Sequence, residues 1–329
     1  ARFALNHEPL DRELRTLRHQ LREGLKPLES VLISSRDAAG DIGADAEGPA
    51  RAKREDMAGL VTANAKRAQE ALRVLEELAR LPEMAGAMSG DSYERARFAL
   101  YDTEKRILSL LWRHDKRQTI RGLYVIIDTE SLRGRKAIDV TGQAIRGGAR
   151  IIQLRDKTLP KGELEKIAQG MKALCKGHGV PFIVNDHLDI ALATGADGLH
   201  LGQKDMAVAT ARRLLPADRV IGCSTKTVEQ ALKAQAEGAD YLAVGAIYPT
   251  STKVETVLVG LERLREIKSK ASLPVVAIGG INRGNAAEVV EAGADALAVI
   301  TAVLTPEDAE QAARQMVSVI DRAQRGQSQ

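Results

Sequence analysis

The sequence predicts an α/β protein in which a smaller all-α N-terminal domain precedes a (β/α)8 TIM barrel. Three observations carry that expectation. From Arg121 onward, short apolar runs alternate with amphipathic stretches, the pattern of repeated βα units and a parallel sheet. Eight such runs fit into about 210 residues, the size of a compact barrel. Upstream, residues 1–118 carry helical spacing and no convincing strand pattern.

In the first part, the apolar positions Val61, Ala65, Ala68, Leu72, Leu75 and Ala79 mark one face of a helix beginning near Leu60, because they recur in steps of three and four. Lys66, Glu70, Arg73 and Glu77 form a charged stripe with opposite-sign pairs at (i, i+4), a spacing that brings helical side chains together. Further helices are expected over Asp11–Glu23 and Tyr93–Leu111, and Ser34–Gly48, rich in Gly, Asp and Ala, reads as a loop. The boundary is placed between residues 118 and 119, giving a helical accessory domain at 1–118 and a barrel at 119–329.

The predicted strands are Gly122–Asp128, Ile151–Arg155, Pro181–Asp186, Gly198–Leu201, Val220–Ser224, Tyr241–Ile247, Pro274–Gly280 and Ala296–Thr301. Gly148-Ala149, Gly179-Val180, Gly195-Ala196, Gly238-Ala239 and Gly293-Ala294 each stand just ahead of a strand, where a helix that has to stop favours glycine. A doubly wound open sheet is the competing arrangement, but no G-x-G-x-x-G follows the first strand.

Composition narrows the function. Hydrophobic residues make up 44% of the chain but aromatics only 3%, so the core is built from Ala, Val, Ile and Leu. Residues 1–118 hold 21 basic and 20 acidic side chains, the remainder 27 and 24. Neither part has the basic concentration that nucleic-acid binding needs, and small anionic substrates fit better. No uncharged apolar stretch reaches membrane-spanning length. The start, Ala1-Arg2-Phe3, shows no basic-then-apolar export signal. Cys175 and Cys223 have no metal-ligand spacing and are too few for a disulfide framework. A reducing cytoplasm is the expected home. A homo-oligomer stays open.

In such barrels chemistry gathers at the C-terminal strand ends. The second strand closes on Gln153-Leu154-Arg155-Asp156-Lys157. Residues two apart share a strand face, so Gln153, Arg155 and Lys157 point one way. A guanidinium and an ammonium in one pocket suit a polyanion, the alternative being a surface ion pair between Arg155 and Asp156. Asn185-Asp186 ends the third strand, and Gly202-Gln203-Lys204-Asp205 follows the fourth. Two carboxylates beside phosphate-binding cations suit Mg²⁺, which takes one or two carboxylates and fills its shell with water and phosphate oxygens. Alone, Asp186 reads as a cap on the next helix. Ser224 offers a hydroxyl, Cys223 reads as packing, and Thr250, Thr252 and Lys253 follow a Pro-fixed turn. Gly279-Gly280-Ile281-Asn282 and Ile300-Thr301 end the last two strands, where barrels often seat a phosphate. His200 reads as packing or as a support for Asp205.

Taken in order, Gln153-x-Arg155-Asp156-Lys157, Asn185-Asp186, Gly202-Gln203-x-Asp205, Gly222-x-Ser224, Pro249-Thr250-x-Thr252-Lys253, Gly279-Gly280-Ile281 and Ile300-Thr301 closely resemble the thiamine-phosphate synthases over residues 119–329. That resemblance implies condensation of hydroxymethylpyrimidine diphosphate with hydroxyethylthiazole phosphate. It places Gln153, Arg155, Lys157, Asn185, Ser224 and Lys253 on the pyrimidine diphosphate, and Thr250, Thr252, Gly280, Ile300 and Thr301 on the thiazole phosphate. Asp186 and Asp205 would bind Mg²⁺. Two positions depart from the family pattern: Lys226 stands where a histidine is common, and Thr301 where serine is usual. The set Asn64-x-x-Arg67-x-x-Glu70-x-Leu72-Arg73-x-x-Glu76 resembles a helical domain fused to some bacterial synthases and linked to phosphorylation of hydroxymethylpyrimidine phosphate; internal ion pairing by Arg67, Arg73 and Glu76 is the plainer account. Two other functions compete: a related phosphate-binding barrel such as a thiazole tautomerase, and a non-catalytic binding protein. Retention of Lys157, Asp205 and Lys253 favours the synthase.

Overall fold

The structure is a computed structural model that describes residues 5, 7–35, 56–84, 86–250 and 257–326. The chain divides into two compact units, Ala1–Trp112 and Arg113–Gln329.

The described part of the first unit is helical: α1 (Glu8–Leu25), a short α2 (Glu29–Ser34), α3 (Met57–Leu78) and α4 (Gly90–Gln118), whose last turns belong to the second unit. Each helix predicted from spacing lies inside an observed one, except that Ala79, the last position of the predicted apolar face, is the residue just after α3. Of the expected loop, residues 36–48 fall outside the described residues, while Ser34 closes α2. Leu72, Tyr93 and Ala96 form a small core with Leu17, Leu21 and Leu75 packed against it. Asp56 caps α3 by accepting from the Gly59 N–H at 2.7 Å. The charged stripe of α3 forms Arg73–Glu77 at 2.7 Å.

Glu76, one position away, pairs internally, as expected for it and Arg73: it is 1% exposed and engages Arg73, Arg80 and Arg97 at 3.0, 3.0 and 2.9 Å. Burial would raise its pKa, but hydrogen bonding from Arg97 and the three guanidinium charges together hold it below the usual carboxylate range.

In the second unit eight parallel strands close into a barrel in sequence order, with β8 pairing back to β1. They are β1 (Gly122–Asp128), β2 (Ile151–Arg155), β3 (Phe182–Asn185), β4 (Gly198–Leu201), β5 (Val220–Thr225), β6 (Tyr241–Gly245), β7 (Val275–Ile278) and β8 (Ala296–Val299). All eight runs were legible; four end earlier than predicted. Asp186 leaves β3 at φ 59°, and Gly279 and Gly280 leave β7 at φ 101° and 66°, outside extended geometry. Thr301 opens a four-residue helix instead of prolonging β8. The glycines expected ahead of strands all have positive φ, from 61° at Gly195 to 100° at Gly293.

Strand alternation sorts the apolar residues into two layers. Leu123, Val125, Ile127, Ile152, Leu154 and Val184 face the helices, in one large core. Tyr124, Ile126, Ile151, Ile183, Val220, Tyr241, Val276 and Ala298 fill the barrel interior. Gly222 lies opposite Tyr241 in register, and a Cβ there would sit 2.0 Å from the tyrosine ring; glycine is required for the ring to enter the barrel.

At the N-terminal ends of the strands, Asp240 is fully buried and receives Arg113 at 2.8 Å, Arg117 at 2.7 Å and Arg212 at 2.5 Å. It also accepts the Ile221 N–H at 2.9 Å. Removing one member of such a buried group leaves the others uncompensated.

Candidate active site

The inward parity that places Tyr124 and Ile151 inside the barrel continues to the C-terminal strand ends. On β1 it reaches Asp128, on β2 Gln153 and Arg155, on β3 Asn185, on β4 His200 and on β5 Ser224, with Asp128 paired in register with Arg155 and Asn185 with His200. Side chains from five adjacent strands thus meet at one mouth.

Arg155 is aimed by Asp128, a nearly fully buried carboxylate 2.5 Å from its guanidinium. Ser131 Oγ donates to the other oxygen of Asp128 at 2.6 Å. The alternative of an Arg155–Asp156 surface pair does not hold, because adjacent residues on a strand point to opposite faces. Asp156 is instead buried, accepting from the Thr129 hydroxyl and from the N–H groups of Thr158 and Leu159 at 2.8 and 2.7 Å. Burial would raise its pKa, but these bonds outweigh it and hold the carboxyl below its ordinary range. Asp156 therefore shapes the loop that carries the exposed Lys157.

The Asp186 and Asp205 carboxyls are near enough for Asp205 to act on the protonation of Asp186. Burial, followed by the Asp205 carboxyl, pushes Asp186 up to about 7; Arg155 and Asn185 pull it the other way. Arg155, Asn185, Asp186 and Asp205 therefore share one neighbourhood. The alternative role of Asp186 as a helix cap does not hold: His187 takes the N-cap position of the helix Leu188–Thr194, with no side-chain cap bond. Asp205 also accepts the Gly202 N–H at 2.7 Å. Gln203 ties this loop to β5 by donating to the Ser224 carbonyl at 2.7 Å. Among the described residues no group of three or more His, Cys, Asp or Glu gathers as a metal cage. Two carboxylates that repel each other nevertheless form a donor set that a hard cation relieves.

Ser224 Oγ lies 2.9 Å from His200 Nε2, a contact that joins two neighbouring strands and that local spacing does not carry. Cys223 is buried as expected, and burial above all pushes its thiol up to about 11, so it is no thiolate nucleophile at neutral pH.

On the far side of the mouth, the loop after β6 lies against the loop after β7. Tyr248 N–H donates to the Gly279 carbonyl at 3.0 Å, and a Cβ on Gly280 would meet the Pro249 carbonyl oxygen at 2.5 Å. Thr250 is half-buried on this loop, and Ile300 and Thr301 stand where β8 gives way to the helix Thr301–Leu304. Thr252 and Lys253 lie outside the described residues.

Residues 123–303 match the family described as thiamine monophosphate synthase. A thiamine-phosphate synthase of Nostoc sp. is 36% identical over 98% of this chain and 88% of its own length. The chain belongs to the thiamine-phosphate synthase family. It is an enzyme of thiamine biosynthesis, a transferase on a TIM barrel. A thiamine-phosphate synthase of Methanocella arvoryzae is 48% identical over 61% of this chain and 95% of its own. Among solved structures, thiamine phosphate pyrophosphorylase from Pyrococcus furiosus superimposes with a TM-score of 0.59 at 38% identity, covering 63% of this chain and 98% of that one. Residues 1–106 match the ThiD2 family, in keeping with the helical domain that the sequence resembles. Among the described residues, no helix is long and apolar enough to cross a membrane.

Proposed function

We propose that this synthase joins hydroxymethylpyrimidine diphosphate to hydroxyethylthiazole phosphate at the barrel mouth, releasing pyrophosphate. One observation carries the assignment of the site: Arg155 lies close enough to the Asp186–Asp205 carboxyl pair for its charge to act on Asp186. A cation-binding pair beside a guanidinium is the arrangement that a diphosphate leaving group requires.

In this reading Gln153, Arg155, Lys157, Asn185, Ser224 and Lys253 hold the pyrimidine diphosphate. Thr250, Thr252, Gly280, Ile300 and Thr301 hold the thiazole phosphate. Asp186 and Asp205 hold Mg²⁺, which when bound would neutralise charge on the diphosphate oxygens. Arg155, fixed by Asp128, and Lys157 stabilise the charge that develops as the C–O bond to pyrophosphate breaks. The electron-rich aminopyrimidine supports the methylene cation left behind. The thiazole nitrogen, anchored through its phosphate on the opposite side of the mouth, captures that cation, which is chiefly a matter of positioning. No general base is needed, since that nitrogen carries no proton.

The catalytic part is assigned to residues 119–329 and the helical accessory domain to residues 1–118. Within the latter, Glu76 engages Arg73, Arg80 and Arg97, which supports internal ion pairing as the role of these residues. The two free, buried cysteines are consistent with a reducing cytoplasm.

The test is pyrophosphate release by the full chain. It is expected only when both substrates and Mg²⁺ are present. Turnover of a thiazole substrate without diphosphate and without metal would instead favour the tautomerase reading.

A further inference from the structure

Below the strand ends, a line of polar groups crosses the otherwise apolar barrel interior. Gln153 Nε2 donates to the Tyr124 hydroxyl at 2.8 Å. Tyr124 and Tyr241 share a hydroxyl–hydroxyl bond of 2.9 Å. The Tyr241 hydroxyl lies 3.1 Å from His200 Nδ1, and His200 Nε2 lies 2.9 Å from Ser224 Oγ. The imidazole stacks on the Tyr241 ring, with centroids 5.6 Å apart. Tyr124 and Tyr241 are at most 1% exposed. The line starts at Gln153 and ends at Ser224, two residues assigned above to the same ligand from different strands.

Proton counting gives this line a direction. Each hydroxyl has one proton to donate, and a neutral imidazole has one N–H. With the Gln153 amide donating to Tyr124, the Tyr124 proton goes to Tyr241 and the Tyr241 proton to His200 Nδ1. His200 then carries its proton on Nε2 and donates to Ser224, which leaves the serine hydroxyl free to donate outward. In the reverse direction Ser224 would give its proton to His200 and could only accept. A phosphate oxygen is itself an acceptor, so phosphate binding selects the first direction. Burial keeps both phenols in the neutral, one-proton form, their pKa raised well above the ordinary value. The same direction leaves Gln153 Oε1 as an acceptor for a ligand N–H.

We propose that Tyr124 and Tyr241, acting through His200, are positioning residues that set Ser224 as a donor and Gln153 as an acceptor toward the pyrimidine diphosphate. The proposal rests on the assignment of Gln153 and Ser224 to that ligand. None of the three positioning side chains is required to touch the substrate.

The test uses the full chain with Tyr241→Phe and Tyr124→Phe, which remove a hydroxyl and keep the ring. The ¹⁵N resonances of His200, assigned by their loss in His200→Gln, should show Nε2 protonated and Nδ1 accepting in the wild type. Tyr241→Phe should mix the two tautomers. It should lower kcat/KM for the pyrimidine diphosphate about tenfold, the equivalent of one buried hydrogen bond, and leave KM for the thiazole phosphate unchanged. Added to Ser224→Ala it should cost less than about a further twofold, because it acts through that serine. Tyr124→Phe should shift the same quantities in the same direction. An unprotonated Nε2 in the wild type would overturn the proposal. So would a tyrosine variant with wild-type kinetics, or a loss spread equally over both substrates and additive with Ser224→Ala. If Ser224→Ala and Gln153→Ala were themselves without effect, the ligand assignment would fail, and the proposal with it; failure of the tyrosine variants alone would remove only the proposal.

Discussion

Asn at position 186 offers a quantitative probe of the carboxyl pair. Burial and Asp205 raise Asp186 to about 7 in the folded chain, against about 4 for an unperturbed aspartate. The folded state therefore binds more protons than the unfolded state across that interval, and stability falls as pH rises through it. The contribution is fully present below pH ~4 and lost once pH passes about 7. At about 1.4 kcal/mol per pKa unit, the ceiling is about 4 kcal/mol. Asp186 is only half-buried, so solvent screening reduces this to about 1–2 kcal/mol. Urea unfolding of the metal-free protein at pH 5 and pH 8, with wild type and Asp186→Asn compared, isolates the effect from other titrating groups. Between pH 5 and pH 8, which spans about two-thirds of that interval, the wild type should lose roughly 1 kcal/mol more than the variant, and Mg²⁺ at pH 8 should restore stability to the wild type alone. Parallel pH profiles in the two proteins, or equal responses to Mg²⁺, would show that Asp186 does not titrate as a buried partner of Asp205.

Three further outcomes follow from the geometry. Asp128→Asn removes the ionic partner that aims Arg155 at 2.5 Å and should lower kcat/KM ten- to a hundredfold, in line with the cost of misplacing a catalytic group; steady-state kinetics at unchanged kcat/KM would show that Arg155 needs no such support. Gly222→Ala puts a methyl 2.0 Å from the Tyr241 ring and should destabilise the barrel by more than about 3 kcal/mol, read as a drop in Tm of several degrees; an unchanged Tm would contradict the packing. Asp240→Asn leaves Arg113, Arg117 and Arg212 without their shared carboxylate and should cost about 3–5 kcal/mol in denaturant unfolding with KM unchanged, since it lies at the opposite end of the strands from the mouth.

What was legible in the sequence followed from strand periodicity. The eight βα units, and the grouping of Gln153 with Arg155, needed only alternation and the ends of apolar runs. Asp128 obeys the same parity, but a single aspartate closing an apolar run carries no local sign of the arginine it meets on the next strand. Tyr124 and Tyr241 sit in apolar runs and read as core, and they are core; their hydrogen bond depends on a register between positions 117 residues apart, which local spacing does not carry. His200 read as packing for the same reason. Asp156 could have been separated from Arg155 by parity alone, yet its role in shaping its own loop became visible only with the backbone. In the helical unit the pairing of Arg73 with Glu76 was legible from helical spacing, whereas Arg97, which also engages the buried Glu76, lies 21 residues away. No property of the charged stripe of α3 itself announces that partner.

Binding of the cation by Asp186 and Asp205, beside the departing pyrophosphate, can be observed directly. Mn²⁺ substituted for Mg²⁺ makes this measurable, since a paramagnetic ion broadens the ³¹P resonances of pyrophosphate bound beside it. Broadening in the wild type and its loss in the Asp186→Ala/Asp205→Ala variant is the predicted result; broadening that survives removal of both carboxylates would place the cation elsewhere.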